Sequence, residues 1–125
     1  MGFSIKVITD FSAGHFLPQH PGECKKMHGH NFKVEVEVTS EGLNDQGMVI
    51  DFYELHNIVR SVVSKLDHSL LNEQPYFREK PPTVEYIALW IAKQIKTQLP
   101  AGIKIASITV WETENYAGIW RNEDM

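Results

Sequence analysis

The chain has 125 residues, of which 42% are hydrophobic and 22% charged, so we predict a single globular domain over residues 1–125. A net charge of −4 and a pI near 5.8 argue against nucleic-acid binding, which needs a basic surface. One cysteine cannot form an intrachain disulfide. No apolar run approaches the length of a membrane span, and the first residues lack a signal-peptide pattern. We therefore expect a cytoplasmic protein with no membrane partner.

Two strands are predicted first, at about residues 3–16 and 28–39, because apolar and polar residues alternate in both. The apolar positions are Phe3, Ile5, Val7, Phe11 and Ala13 in the first strand and Phe32, Val34, Val36 and Val38 in the second. They share the parity of His15 in the first strand and of His28 and His30 in the second. The three imidazoles should therefore continue an inward-facing apolar surface.

Three neutral imidazoles from two strands are typical of a catalytic zinc site, which has three protein ligands and one open position. A buried imidazole also needs a metal or a hydrogen-bond partner. We therefore predict that His15, His28 and His30 bind Zn²⁺. Cys24 precedes His28 by four residues in a loop, where it is either a fourth, structural ligand or a reactive thiol, and the spacing does not decide between them.

Two helices and two more strands follow. Asp51 is the predicted N-cap of the first helix, and Thr83 begins a second helix that ends at residues 100–102. The remaining strands are predicted at about residues 103–113 and 116–121. The order β-β-α-α-β-β predicts an α+β domain with an antiparallel sheet and both helices on one face. The other face needs cover, and association of several subunits is its simplest source.

Two further polar features have alternative interpretations. Asp67 and His68 follow the first helix and form either a carboxylate–imidazole proton relay or an ordinary polar helix end. Glu112 has the parity of Ile108 and Val110 in the third predicted strand. Its carboxylate therefore either meets N–H donors of a ligand or has already turned to solvent.

Six short segments are specific as a set, in their order and spacing: residues 11–15, 24–30, 47–52, 66–68, 82–85 and 111–113. With them, nearly the whole chain resembles the 6-pyruvoyltetrahydropterin synthase superfamily, and within it the bacterial 6-carboxytetrahydropterin synthases of queuosine biosynthesis. The resemblance implies the tunnelling fold, or T-fold, whose subunits assemble through their sheets into barrels. These are commonly homohexamers with active sites between subunits.

The resemblance also implies roles for individual residues. The implied zinc ligands are His15, His28 and His30. Cys24 would be the catalytic proton acceptor, with Asp67 and His68 as its relay partners. Glu112 would anchor the pterin ring, and Thr83 would contact the substrate. Charge alone makes Lys25, Lys26 and Arg121 candidates for contacting a triphosphate.

The implied activity is that of a zinc-dependent carbon–carbon lyase. It converts 7,8-dihydroneopterin triphosphate to 6-carboxy-5,6,7,8-tetrahydropterin and releases acetaldehyde and triphosphate. Three residues separate Cys24 from His28, as in the 6-carboxy branch, whereas residues 74–77 look more like the pyruvoyl branch. One alternative is therefore pyruvoyl formation without carbon–carbon cleavage. A less favoured one is a folate-pathway cleavage of the dihydropterin side chain, suggested by Glu23, and a third is a non-catalytic assembly with a structural zinc site that Cys24 closes.

Overall fold

The computed structural model describes residues 2–22, 26 and 28–123, and its long strands and helices follow the predicted order, with one short strand and two short 3₁₀ helices added. The strands are β1 (Phe3–His15), β2 (His28–Ser40), β3 (Ser69–Leu70), β4 (Lys104–Trp111) and β5 (Ala117–Arg121), and the helices are α1 (Phe52–Val63) and α2 (Val84–Lys96). Two short 3₁₀ helices, Leu71–Glu73 and Pro75–Phe77, connect β3 to α2. The added strand is β3, which was not predicted because two residues are too few to form a periodic pattern.

The five strands form one sheet in the order β3-β1-β2-β4-β5. β1 and β2 pair antiparallel along their whole length, with Phe3 opposite Ser40 and His15 opposite His28. In the same register Ala13 lies opposite His30. Residues that face each other in an antiparallel ladder point to the same side of the sheet, so the three predicted metal ligands emerge from one face at one end of this hairpin.

The helices pack on that same face, which confirms the predicted α+β arrangement. The buried strand residues are Val7, Phe11, Ala13, Phe32, Val34, Val36, Val38, Ile105, Ile108 and Val110, and the buried helix residues are Leu55, Val59, Val62, Val63, Ile87, Ala88, Ile91, Ala92 and Ile95. His15 is the buried polar residue at the end of this core, with 1% of its surface exposed. The hydrophobic core therefore forms one wall of the region where the imidazoles meet.

Both helices begin at the predicted N-caps. The Asp51 carboxylate accepts the Tyr53 N–H at 2.7 Å, and the Thr83 hydroxyl accepts the Tyr86 N–H at 3.2 Å. Gly118 in β5 lets that strand lie close to the start of α2, because an added Cβ would be 2.8 Å from a Val84 methyl carbon. Neither helix, at 12 and 13 residues, is long and apolar enough to cross a membrane.

The opposite face of the sheet has no covering element among the described residues, and it is mostly polar. Glu35 accepts the Trp111 indole N–H at 2.5 Å and pairs with Lys6 at 3.9 Å. Ile8 and Ile119 are exposed to 50% and 46%. A single chain therefore leaves this face open to solvent, as the sequence predicts, and the assembly of subunits stays a prediction.

Candidate metal centre

Three imidazoles and one carboxylate converge at the end of the β1–β2 hairpin. The ligand atoms of His15, His28, His30 and Glu112 all lie within 4.8 Å of one another. Glu112 Oε1 is 2.9 Å from His30 Nε2 and 3.6 Å from the Nε2 atoms of His15 and His28. The structure thus brings the three predicted ligands together and adds Glu112, one residue after the end of β4, as a fourth donor group.

Backbone carbonyls hold two of the imidazoles in a metal-binding tautomer. The Pro82 carbonyl lies 2.8 Å from His15 Nδ1, and the Lys26 carbonyl lies 2.7 Å from His28 Nδ1. Because a carbonyl can only accept, each Nδ1 carries the hydrogen and each Nε2 of the neutral ring keeps a free lone pair. This is the usual arrangement around metal-bound histidines.

Two of the three imidazoles have a ring nitrogen without a hydrogen-bond partner in the described part of the chain. The Nε2 atoms of His15 and His30 are buried and have no hydrogen-bond partner there, and the 2.9 Å approach of Glu112 Oε1 to His30 Nε2 is a close contact that does not form a hydrogen bond. Burial lowers the pKa of His15 and outweighs the opposing effects of the Pro82 carbonyl and the Glu112 carboxylate, so its ring is neutral at pH 7. Buried and unpartnered nitrogens fit a divalent metal ion, since the alternative leaves polar atoms unpaired.

Asp67 and His68 form a dyad at the edge of β1, outside this cluster. Asp67 accepts the Ser12 N–H at 2.8 Å, the His68 N–H donates to the Ser12 carbonyl at 2.6 Å, and the Asp67 carboxylate lies 3.1 Å from His68 Nδ1. The Ser12 N–H bond, together with His68 and Arg60, holds the pKa of Asp67 below its usual value. The carboxylate therefore stays ionised and can hold the imidazole.

The His68 side chain faces out of the subunit. Its backbone φ of 56° lies in the left-handed region, which is unusual for a residue other than glycine, and 83% of its side chain is exposed. His68 and His30 line the same open cavity of about 420 Å³. The predicted relay partners are thus near the metal centre, and a surface-exposed imidazole is free to meet groups from outside the chain.

The other predicted site residues have mixed outcomes. Cys24 and Lys25 lie outside the described residues, so their roles stay predictions. The Lys26 side chain is exposed, while its carbonyl orients His28. The Thr83 hydroxyl caps α2, which leaves its hydrogen and one lone pair for a substrate. Arg121 faces Ser107, about 13 Å along β5 from the end of the strand that is nearest Glu112, so it is a poor triphosphate contact within its own subunit.

Two residues that support the centre were not predicted as site residues. Asn72 accepts the Phe16 N–H at 3.0 Å and donates to the Phe16 carbonyl at 2.9 Å, which fixes the chain directly after His15. Pro82 contributes only its carbonyl. Both contacts join segments more than 50 residues apart, and neither an isolated asparagine nor a backbone oxygen can be recognised as a site residue from one sequence.

Comparisons with known proteins show which family the chain resembles. The family model described as 6-pyruvoyl tetrahydropterin synthase matches residues 4–123. A protein of Archaeoglobus fulgidus, provisionally named 6-carboxy-5,6,7,8-tetrahydropterin synthase, is 43% identical over 111 residues, which cover 89% of each chain. The Pyrococcus furiosus dihydroneopterin monophosphate aldolase is 39% identical over 86% of this chain and 88% of its own. The 6-carboxy-5,6,7,8-tetrahydropterin synthase of a Synechocystis species is 37% identical over 82% and 81%.

Solved structures establish the fold. Caenorhabditis elegans 6-pyruvoyl tetrahydropterin synthase superposes with a TM-score of 0.87 over 98% of this chain and 97% of its own, at 22% identity. The Plasmodium falciparum 6-pyruvoyl tetrahydropterin synthase gives a TM-score of 0.76 over 97% and 98%, also at 22% identity. These likenesses confirm the predicted T-fold of the subunit, and at this identity they concern the fold alone.

Proposed function

Because this chain belongs to the 6-pyruvoyl tetrahydropterin synthase family, we propose that it is a zinc-dependent carbon–carbon lyase acting on 7,8-dihydroneopterin triphosphate. The products would be 6-carboxy-5,6,7,8-tetrahydropterin, acetaldehyde and triphosphate, and the pathway would be queuosine (7-deazaguanine) biosynthesis in the cytoplasm. The observation that carries the proposal is the convergence of three imidazoles, each with its Nε2 atom towards one carboxylate. Relatives named for this activity at 43% and 37% identity support it.

His15, His28 and His30 would hold the zinc ion. When bound, zinc supplies a Lewis acid that lowers the pKa of substrate hydroxyl groups and stabilises negative charge on oxygen. The rings are preorganised for this task, because the Pro82 and Lys26 carbonyls fix two of them before any metal binds. A rigid set of ligands keeps the geometry of the centre independent of the substrate.

Glu112 would anchor the pterin ring. An ionised carboxylate accepts two parallel N–H bonds, and the aminopyrimidinone edge of a pterin offers two such donors. The carboxylate is 24% exposed and stands beside the imidazoles, so a ring bound there would place its side chain at the metal centre. Orientation of this kind is a large part of what an active site contributes to a rate.

We expect the Glu112→Gln variant to retain its zinc and to lose about a hundredfold in kcat/KM, because hydrogen bonds to a charged group contribute about 1.5–3 kcal/mol. Steady-state kinetics and zinc analysis by atomic absorption measure both quantities. Glu114→Gln, an exposed neighbour, is the matched control and should behave like the wild type. A parallel loss of zinc would instead make Glu112 a metal ligand.

Proton transfer would fall to Cys24 and the dyad. A thiolate can accept a proton from the side chain of the substrate, and an imidazole held by a carboxylate can pass it on. Asp67 fixes the His68 ring from one side, which leaves the other ring nitrogen for exchange. The exposure of His68 favours a site completed between subunits of the proposed homohexamer, in which the open sheet face would also be covered.

A second candidate is an aldolase-type cleavage of a dihydroneopterin phosphate. It is favoured by the Pyrococcus furiosus aldolase, whose 39% identity exceeds the 37% of the Synechocystis synthase. Glu23, next to Cys24, is an additional carboxylate that such a reaction could use, and it lies outside the described residues. In this chain both reactions would use the same candidate metal centre.

Mass spectrometry of the products distinguishes these functions. Zinc-loaded protein is incubated with 7,8-dihydroneopterin triphosphate and, separately, with the monophosphate, with heat-denatured protein as the control. We expect the 6-carboxytetrahydropterin mass and acetaldehyde from the triphosphate. A pyruvoyl product would place the chain in the pyruvoyl branch of the family. Turnover of the monophosphate alone would establish the aldolase function.

A further inference from the structure

A cavity of about 580 Å³ lies between the loop that follows β1 and the loop that precedes α2. Residues 16–20 form one wall and residues 77–81 and 83 the other, with Asn72 between them. The volume is within the range of small-molecule sites. The cavity is separate from the imidazole cluster, and nothing in the proposed mechanism has used it.

Its position connects it to the metal centre. Phe16, in the first wall, directly follows His15. Thr83, in the second wall, directly follows Pro82, whose carbonyl holds the His15 ring. One wall therefore adjoins a predicted metal ligand, and the other adjoins the carbonyl that positions this ligand. A substrate whose reacting atoms lie at the imidazoles can extend a flexible chain into this space.

The cavity contains two cations without an acidic partner. Arg78 and Lys80 line it, and among the described residues no carboxylate lies within ion-pair distance of either. The Lys80 ammonium is 4.7 Å from the Tyr76 ring and 5.8 Å from the Tyr86 ring. These aromatic contacts hold the ammonium in place without neutralising its charge.

Two other polar groups belong to the lining. His20 Nδ1 accepts the Gly22 N–H at 2.9 Å, so the neutral ring carries its hydrogen on Nε2, as a donor. The Glu79 carboxylate also lines the cavity and offsets one of the two positive charges. In the lining, the hydrogen-bond donors and positive charges named here therefore outnumber the negatively charged acceptor. This balance favours an anionic occupant with several oxygen atoms.

We propose that this cavity is the subsite for the triphosphate chain of the substrate, with Arg78 and Lys80 as its principal contacts. The inference rests on the proposed function, because it extends the substrate from the same metal centre. The position of these cations in the fold supports the assignment. Arg121, one candidate from charge, lies at the far end of the edge strand β5, whereas Arg78 and Lys80 belong to the loop that leads to Pro82, whose carbonyl holds the His15 ring.

Tripolyphosphate binding tests the subsite without any turnover. Isothermal titration of the zinc-loaded protein compares the wild type with Arg78→Gln, Lys80→Gln and the double variant, with zinc content checked before and after. We expect about tenfold weaker binding for each single variant and about a hundredfold for the double one. Because all the proteins carry the same metal, the differences isolate the cavity from phosphate contacts to zinc.

Two control variants test whether the change in tripolyphosphate affinity depends on charge inside the cavity. Lys96→Gln removes an exposed cation on α2 that lies outside the cavity, so its affinity should equal that of the wild type. Glu79→Gln removes the opposing charge and should tighten binding up to about threefold, as for other exposed charges. Orthophosphate should bind more weakly than tripolyphosphate. Circular dichroism and the Tm confirm that each variant is folded.

The outcomes separate the subsite from the proposed reaction. Weaker tripolyphosphate binding in the double variant supports the subsite even if no pterin triphosphate is turned over. If the double variant turns over the substrate with an unchanged KM, the subsite is overturned while the reaction stands. Failure of the wild type to bind tripolyphosphate, or equal affinity in the wild type and the double variant, also overturns it.

Discussion

Replacing His28 by alanine should abolish stoichiometric zinc binding and lower turnover at least about a thousandfold, because a Lewis acid contributes several kcal/mol to the stabilisation of charge. His28 is the informative ligand to remove. Its side chain is 26% exposed, so its loss leaves little void, whereas His15 is 1% exposed and packs edge-on against Phe32 at 5.3 Å. A His15 variant would confuse metal loss with damage to the core.

The measurements are zinc content by atomic absorption, kcat, and the Tm with and without a chelator. Metal that binds only the folded chain stabilises it, so EDTA should lower the Tm of the wild type and leave that of His28→Ala unchanged. His56→Ala, a histidine on the flank of α1, is the control and should keep both metal and activity. Full zinc occupancy in His28→Ala would contradict the assignment of the metal centre.

The fold is readable from the sequence where burial is one-sided. The alternation in β1 and β2 survives into the structure because one face packs on the helices and the other meets solvent. In β4 the simple pattern fails. Ile105 and Ile108 are both buried although they are three apart, since the pairing with β2 shifts between Glu37 and Val38 and changes the parity. Such a bulge depends on the partner strand, so a single segment does not reveal it.

In the candidate site, too, the residues on strands could be predicted and the contacts between loops could not. His15, His28 and His30 could be predicted because their positions follow from strand parity, and Glu112 because it continues the buried face of β4 after the bulge. Strand parity does not predict which separate segments of the chain lie close together in space. The approach of the Pro82 carbonyl to His15 and the cavity between residues 16–20 and 77–83 arise from the packing of loops, which have no periodic pattern.

The second large effect is expected at Cys24. Cys24→Ala should keep its zinc and its Tm and lose about a thousandfold in turnover, as for removal of a general base. The structure favours this outcome over a structural site, although Cys24 itself lies outside the described residues. The three imidazoles already meet the ligand count of a catalytic zinc site, whose fourth position stays open for the substrate, so the centre does not require a thiolate.

Cys24→Ser separates chemistry from packing. Serine restores nearly the same shape and size, but its hydroxyl does not ionise near pH 7, whereas a cysteine thiol beside a metal or cationic groups does. If Cys24 acts as a base, the serine variant stays as inactive as the alanine variant; if it only packs or supports the loop, serine restores turnover. A joint loss of zinc and Tm in both variants would instead make Cys24 a ligand, and the site would then be a closed structural centre.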